Sequence, residues 1–183
     1  VRGGYATGDG DPDDGSTHDF TFDRNFGAGM VLFDQVMGGI EAASHALLVD
    51  PGIAGVPPDG VDALVTEGAF RRAVFVQPAL VTDVRSWLQL RGGMTASWST
   101  APFAQPLYTA RNGGVPTNHH GEATEGQHLG TEYDLAVRLG PIPDLPVEPT
   151  LEVQSGYLVL GPPLAGSGPD TVQHLMGVLR LQW

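Results

Sequence analysis

The chain has 183 residues, a formal net charge of −12 and no cysteine. This length allows one domain with a substantial core, and the absence of cysteine excludes disulfides, thiolate metal sites and cysteine nucleophiles. All nine basic residues are arginines, and no basic patch is available to neutralise nucleic-acid phosphates, so no nucleic-acid partner is expected. No apolar run approaches the roughly 20 residues that a transmembrane helix requires.

The first predicted strand, residues 1–8, is followed by a stretch rich in aspartate, glycine and proline. Closely spaced carboxylates can surround a hard cation such as calcium, which takes roughly six to eight oxygen ligands. The candidate ligands are Asp9, Asp11, Asp13 and Asp14. Their spacing departs from that of an EF-hand, and the same composition is typical of a solvated acidic turn. Both interpretations, a calcium site and a turn, stay open.

Residues 28–48 interrupt the strand pattern inside the long connection 9–69. Apolar residues such as Met30, Met37 and Leu47 recur at helical spacing, which predicts an amphipathic helix. A helix placed between strands must bury its apolar side. The lumen of a large barrel, where the helix would act as a plug, and the face of a soluble sheet both satisfy that requirement.

Several later segments alternate apolar and polar residues, as expected of half-buried strands. In "TEYDLAVRL", for example, Tyr133 and Leu135 share one side, whereas Glu132 and Asp134 share the other. The predicted strands are 1–8, 70–82, 86–99, 130–141, 149–161 and 173–183.

Short and long connections alternate between these strands, as they do in outer-membrane barrels. Strands of about 9–11 residues also suit a tilted bilayer crossing. A soluble antiparallel sandwich shares the alternation and the turn signals, but it does not require this rhythm. The sequence therefore favours an all-β fold, an antiparallel transmembrane β-barrel with a helical loop entering the lumen. Trp183, at the end of the last strand, is expected in the interfacial aromatic girdle.

The stretch "GGYATGDGDPDDGSTHDFTFDRNFGAGMVLFDQV" resembles bacterial outer-membrane barrels of the alginate-export-like class. The resemblance is carried by Tyr5 to Asp9, the aspartates that follow, and Phe20 and Phe22. It implies a porin of about 18 strands, whereas this chain supplies about six, fewer than the roughly eight of the smallest barrels. Residues 1–183 are therefore expected to be the C-terminal part of one barrel domain whose earlier strands are not in this chain.

If the apolar sides of the strands meet lipid, a set of charged residues points into the lumen, because an arginine facing lipid at the bilayer midplane costs about 2–4 kcal/mol. The predicted pore-lining residues are Arg2, Arg91, Arg138, Arg180, Glu132, Asp134 and Glu152. Rings of inward arginines favour anions. The carboxylates can instead pair with the arginines across strands and brace the wall, and both roles stay open.

The stretch "NHHGEATEGQH" is a weaker metal candidate, since adjacent histidines can chelate a transition metal but nothing in the spacing fixes their geometry. A mobile loop is the alternative. Ser16, Ser44 and Ser86 lie in no nucleophile-elbow context, and no phosphate-binding loop with its lysine is present. The chain is therefore not expected to be an enzyme.

Together these patterns predict a channel in the bacterial outer membrane for passive passage of small or anionic solutes. Acidic oligosaccharides as solutes are implied by the family resemblance alone. The expected partners are the lipid bilayer, the solutes and the earlier strands of the same barrel, and no cofactor is required. The alternatives are a soluble or cell-surface β-sandwich that binds calcium or a glycan, and a structural outer-membrane barrel with a sealed lumen.

Overall fold

The computed structural model describes residues 1–8, 20, 22, 28–54, 72–124, 126–141 and 148–182. The fold is mainly an antiparallel β-sheet with a few short helices, so the prediction of an all-β antiparallel fold is confirmed. The strands are β1 (Arg2–Tyr5), β2 (Ala73–Gln77), β3 (Ala79–Arg85), β4 (Leu88–Ser99), β5 (His128–Leu139), β6 (Glu148–Leu160) and β7 (Thr171–Gln182). The helices are a π-helical turn (Leu32–Met37), α1 (Gly38–Leu48), α2 (Pro51–Ala54), α3 (Pro106–Arg111) and α4 (Pro162–Ala165).

The strands form one sheet in the order β1-β2-β4-β5-β6-β7, with β3 also paired to β4. From β4 onward, each strand pairs with the next one in the chain. Within the described residues the sheet is open, with β1 and β7 at its two ends. None of the described helices is both long enough and apolar enough to cross a bilayer.

The prediction of six strands is wrong at residues 70–82, where the structure has two strands. Pro78 lies between β2 and β3 and has no backbone N–H to donate to a strand ladder. Its carbonyl still accepts a hydrogen bond from the Met94 amide at 3.0 Å. Both short strands therefore lie along the same partner, β4, with β2 beside its second half and β3 beside its first half.

The two faces of the sheet differ in what covers them. We call the face against which residues 28–32 pack the inner face, and the opposite one the outer face. The outer face carries exposed apolar side chains that the register brings together in rows, such as Leu139 of β5 beside Leu151 of β6 and Leu179 of β7. The exposed outer-face residues include Tyr133, Leu135, Leu139, Leu151, Val153, Tyr157, Val159, Leu175, Leu179 and Leu181.

The apolar core lies on the inner face, between the sheet and residues 28–32, which we call the docked segment. Val31 and Leu32 of the docked segment are fully buried and belong to one cluster with Phe75 and Leu158 of the sheet. The π-helical turn and α1 continue directly from the docked segment, and Met37 and Ile40 pack against the same cluster. The helical arm, residues 32–48, is thus joined to the sheet through its first residues.

Candidate functional site

A cavity of about 300 Å³ lies between the docked segment and the inner face. Five strands, β1, β2, β4, β5 and β6, and the docked segment contribute to it, because alternate residues of neighbouring strands point to the same side of a sheet. Its polar lining consists of Arg2, Gln77, Arg91, Asp134 and Gln154, and Gly29 and Met30 form the side towards the docked segment. We call it the arginine cavity.

The strand register explains why these residues meet. Arg2 of β1 is the direct partner of Gln77 of β2, and Arg91 of β4 pairs with Ala136, which in turn pairs with Gln154 of β6. Neither guanidinium group donates a hydrogen bond or forms an ion pair within the described part of the chain. Since arginine stays protonated in proteins, the cavity offers two positively charged, fork-shaped donors.

The same cavity offers acceptors that lack donors. Gln77 is only 3% exposed, and its amide nitrogen donates to the Thr95 hydroxyl at 3.1 Å. Its Oε1 atom, like Oδ1 of Asp134, is buried without a hydrogen-bond partner among the described residues. A buried polar atom left without a partner costs about 1–3 kcal/mol. The cavity therefore suits a solute that combines an anionic group for the arginines with hydroxyl or water hydrogens for these oxygens.

Glu132 lies beside the cavity, beneath the docked segment, and its side chain is fully buried. Its carboxylate accepts hydrogen bonds from the backbone amides of three successive residues, Met30, Val31 and Leu32, the last two at 2.8 Å. Leu32 is the first residue of the π-helical turn and Met30 and Val31 lead into it, so these amides lie at the start of a helix, where a carboxylate is favoured by both charge and hydrogen bonding. Glu132 thus caps the helical arm from the neighbouring sheet.

Two glycines allow this close approach. Gly29 has a φ of +80°, and a Cβ there would lie 2.6 Å from Oε2 of Glu132. A Cβ on Gly156 would lie 2.5 Å from Cγ2 of Val31. Any side chain at either position would push the docked segment off the sheet or away from its carboxylate.

The predicted pore-lining residues all lie on the inner face but fall into two groups. Arg2, Arg91 and Asp134 line the arginine cavity, with Glu132 adjacent. The others, Arg138, Glu152 and Arg180, lie nearer the end of the sheet where β3 turns into β4.

The second group contains a cross-strand ion pair. Arg180 Nη1 lies 3.5 Å from Glu152 Oε2, and Glu152 also accepts a hydrogen bond from Gln154. Because the Arg180 side chain is 64% exposed, this ion pair is expected to contribute at most about 1 kcal/mol. This ion pair joins neighbouring strands, as expected if the carboxylates pair with arginines to brace the wall of a barrel.

Sequence reasoning did not identify Gln77, Gln154 or the two glycines. The alternation that places Phe75 on the inner face also places Gln77 there, but Pro78 interrupts the pattern at the next residue. Gln154 lies two residues after Glu152 in the same strand, so the alternation that placed Glu152 on the inner face also places Gln154 there. It was not singled out because it carries no charge.

The predicted calcium ligands Asp9, Asp11, Asp13 and Asp14 lie outside the described residues. Within the described ranges, no three His, Asp or Glu side chains converge as a metal site would require. In the histidine loop, the His119 and His120 rings lie 4.0 Å apart. Burial, followed by the nearby charge of His120, lowers the pKa of His119.

No protein-family model, curated protein sequence or solved structure that we compared matches this chain. The resemblance to the alginate-export-like class therefore stays a prediction, and the features that bear on function are the two faces of the sheet and the arginine cavity.

Proposed function

We propose that this chain forms part of an outer-membrane β-barrel through which small anionic solutes pass passively. The observation that carries the proposal is the exposed apolar outer face. Leu175 is 75% exposed, Leu179 63% and Leu135 57%, and they belong to a patch that spans several strands. Large contiguous apolar patches are rare on proteins surrounded by water, whereas a barrel in a membrane presents such a band to lipid.

Aromatic residues support the same placement. Trp87 lies in the turn directly before β4, Trp98 lies near the end of the same strand, and both are exposed. At about 3.3 Å per residue they are about 36 Å apart along the strand. A strand tilt of about 40° reduces this to about 28 Å, close to the ~25 Å height of the apolar band between the aromatic girdles of a barrel.

The preference for anions rests on the arginine cavity. Arg2 and Arg91 bring two positive charges to the inner face, and planar guanidinium groups suit carboxylates and phosphates. The unpartnered oxygens of Gln77 and Asp134 provide acceptors for the hydrogens of a hydroxylated solute. This combination favours hydroxylated anions over simple hydrophobic solutes.

The open sheet determines how the barrel must close. Backbone donors and acceptors at the two free edges of the sheet, formed by β1 and β3 on one side and by β7 on the other, cannot stay unpaired in a bilayer, where no water is available to them. Additional strands, from the same protein or from another copy, therefore pair with these two edges in the membrane.

Single-channel recording of the full-length protein in planar bilayers, with a salt gradient across the membrane, tests the proposal. We expect discrete conductance steps with an anion-biased reversal potential. Substituting both cavity arginines, Arg2→Gln and Arg91→Gln, should move the reversal potential towards zero. The control is Arg85→Gln, which removes the same charge at an exposed position outside the cavity and should leave the potential unchanged.

Two outcomes would contradict the proposal. A reversal potential that does not respond to Arg2→Gln and Arg91→Gln would remove the arginine cavity from ion selection. A protein that stays monodisperse without detergent and never enters bilayers would favour the soluble β-sandwich.

A further inference from the structure

The docked segment is attached to the sheet by the apolar packing of Val31 and Leu32 and by hydrogen bonds to a single side chain. Its three hydrogen bonds to the sheet that involve a charge all end on one carboxylate, that of Glu132. Val31, which precedes the helical arm, has no polar side chain to cap the arm's free amides. The arm therefore depends on a residue about 100 positions away in the chain for its N-terminal cap.

The remainder of the arm is held differently. Beyond Met37 the described residues of α1 are largely exposed or half-buried. After α1, Arg111 of α3 donates a hydrogen bond to the carbonyl of Ile53 in α2 at 3.1 Å, so the chain just beyond the arm is tied to α3. Loss of the hydrogen bonds to Glu132 would leave the packing of Val31 and Leu32 as the near attachment, so the docked segment would be held more weakly on the inner face while the far end stays in place.

We propose that Glu132 is a latch whose negative charge keeps the docked segment seated over the arginine cavity, and that removing this charge uncovers the cavity. The two carboxylate oxygens accept from three amides, an arrangement that no neutral side chain of this size reproduces. In Glu132→Gln one carboxylate oxygen is replaced by an NH₂ group. This group is a hydrogen-bond donor that faces the backbone N–H donors of the docked segment, so at least one of those amides is left without a partner.

The position of the docked segment explains what the latch controls. Gly29 and Met30 form one side of the arginine cavity, and Met30 is also the first residue whose amide binds Glu132. Release of the segment therefore removes part of the cavity lining and enlarges the passage beside Arg2 and Arg91. This role in regulating passage rests on the proposed function, whereas the latch itself does not.

Amide hydrogen exchange of the full-length protein, followed by mass spectrometry, tests the latch without reference to transport. In Glu132→Gln, exchange of the amides in residues 30–36 should rise about tenfold or more, as expected from the loss of a charged hydrogen bond, while exchange in β5 and β6 stays unchanged. The matched control is Glu148→Gln, the same substitution at an exposed position at the start of β6, which should change neither region.

Two further variants distinguish how the segment responds to a packing change from how it responds to loss of the carboxylate. Gly156→Ala leaves the charge of Glu132 in place but pushes against Val31, so it should also accelerate exchange in residues 30–36. Glu132→Ala vacates the site of the carboxylate, and added formate should then restore protection of the same amides, whereas chloride at equal ionic strength should not. The combination identifies a carboxylate at this position as the cause.

Conductance recorded on the same variants distinguishes the two proposals. Faster exchange together with larger conductance steps in Glu132→Gln supports both the latch and the channel. Faster exchange in a protein that never conducts supports the latch and contradicts the channel. Unchanged exchange in Glu132→Gln, or the absence of rescue by formate, overturns the latch whether or not the protein conducts.

Discussion

Replacing Leu175 by arginine discriminates between a lipid-facing and a water-facing outer face. Leu175 lies near the middle of β7, and 75% of its surface is exposed. If that surface faces lipid near the bilayer midplane, Leu175→Arg should lower the free energy of unfolding by about 2–4 kcal/mol. This corresponds to a fall of about 30-fold to about 700-fold in the folded-to-unfolded ratio. If the surface faces water, the change should stay within about 0.5 kcal/mol, as for other exposed positions.

The neighbouring residue provides the control. Met176 is also exposed, at 39%, but points to the inner face, where its partner across the strands is Gln154. Met176→Arg introduces the same charge one position further along, and we expect it to change stability by less than about 1 kcal/mol. Both variants are measured by reversible denaturant unfolding of the full-length protein in lipid vesicles. Equal losses for the two variants would refute the assignment of the outer face to lipid.

Two further predictions concern the docked segment and the histidine loop. In denaturant unfolding, Gly29→Ala should destabilise the protein by at least about 1 kcal/mol more than Gly113→Ala. Both substitutions add the cost of a positive φ, but only Gly29→Ala forces a close contact, with Glu132. Equal losses of stability would show that the docked segment adjusts without leaving the Glu132 carboxylate. The pKa of His119 in the folded protein lies below its ordinary value of 6.5. As the pH falls below 6.5, the imidazole of His119 is therefore protonated more readily in the unfolded chain than in the folded protein, and the folded state loses stability. We expect hydrogen exchange in residues 101–124 to accelerate on acidification, and His119→Gln to abolish that pH dependence; the same dependence in the variant would assign it to another group.

The sequence was informative wherever a property repeats every second residue. Side-chain direction in a strand depends only on position, so alternation was enough to place Arg91 and Asp134 on the same side as Glu132. The same rule separates Leu135 from its neighbours and predicts the exposed apolar outer face. Residues 32–48 are helical, in the region where Met30, Met37 and Leu47 indicate that period.

What the sequence did not reveal depends on contacts between distant residues. Glu132 is bonded to amides 100 to 102 positions earlier in the chain, and no local pattern indicates which carboxylate meets which helix. The break at Pro78 was visible as a residue but not as a division of one strand into two. Gly29 and Gly156 matter because a distant part of the chain lies very close to each of them. The residues next to these glycines in the sequence give no indication of that contact.

The strand order also determines the sequence of events in folding. Only about ten residues separate β6 from β7, whereas roughly 70 separate β1 from β2, and closing the longer loop costs about 1.7 kcal/mol more in chain entropy. The hairpins from β4 to β7 can therefore form early from neighbouring segments. We therefore expect the pairing of β1 with β2, and with it the placement of Arg2 beside Gln77, to come late in folding. On this order the arginine cavity is completed only when Arg2 joins a sheet that already carries Arg91 and Asp134.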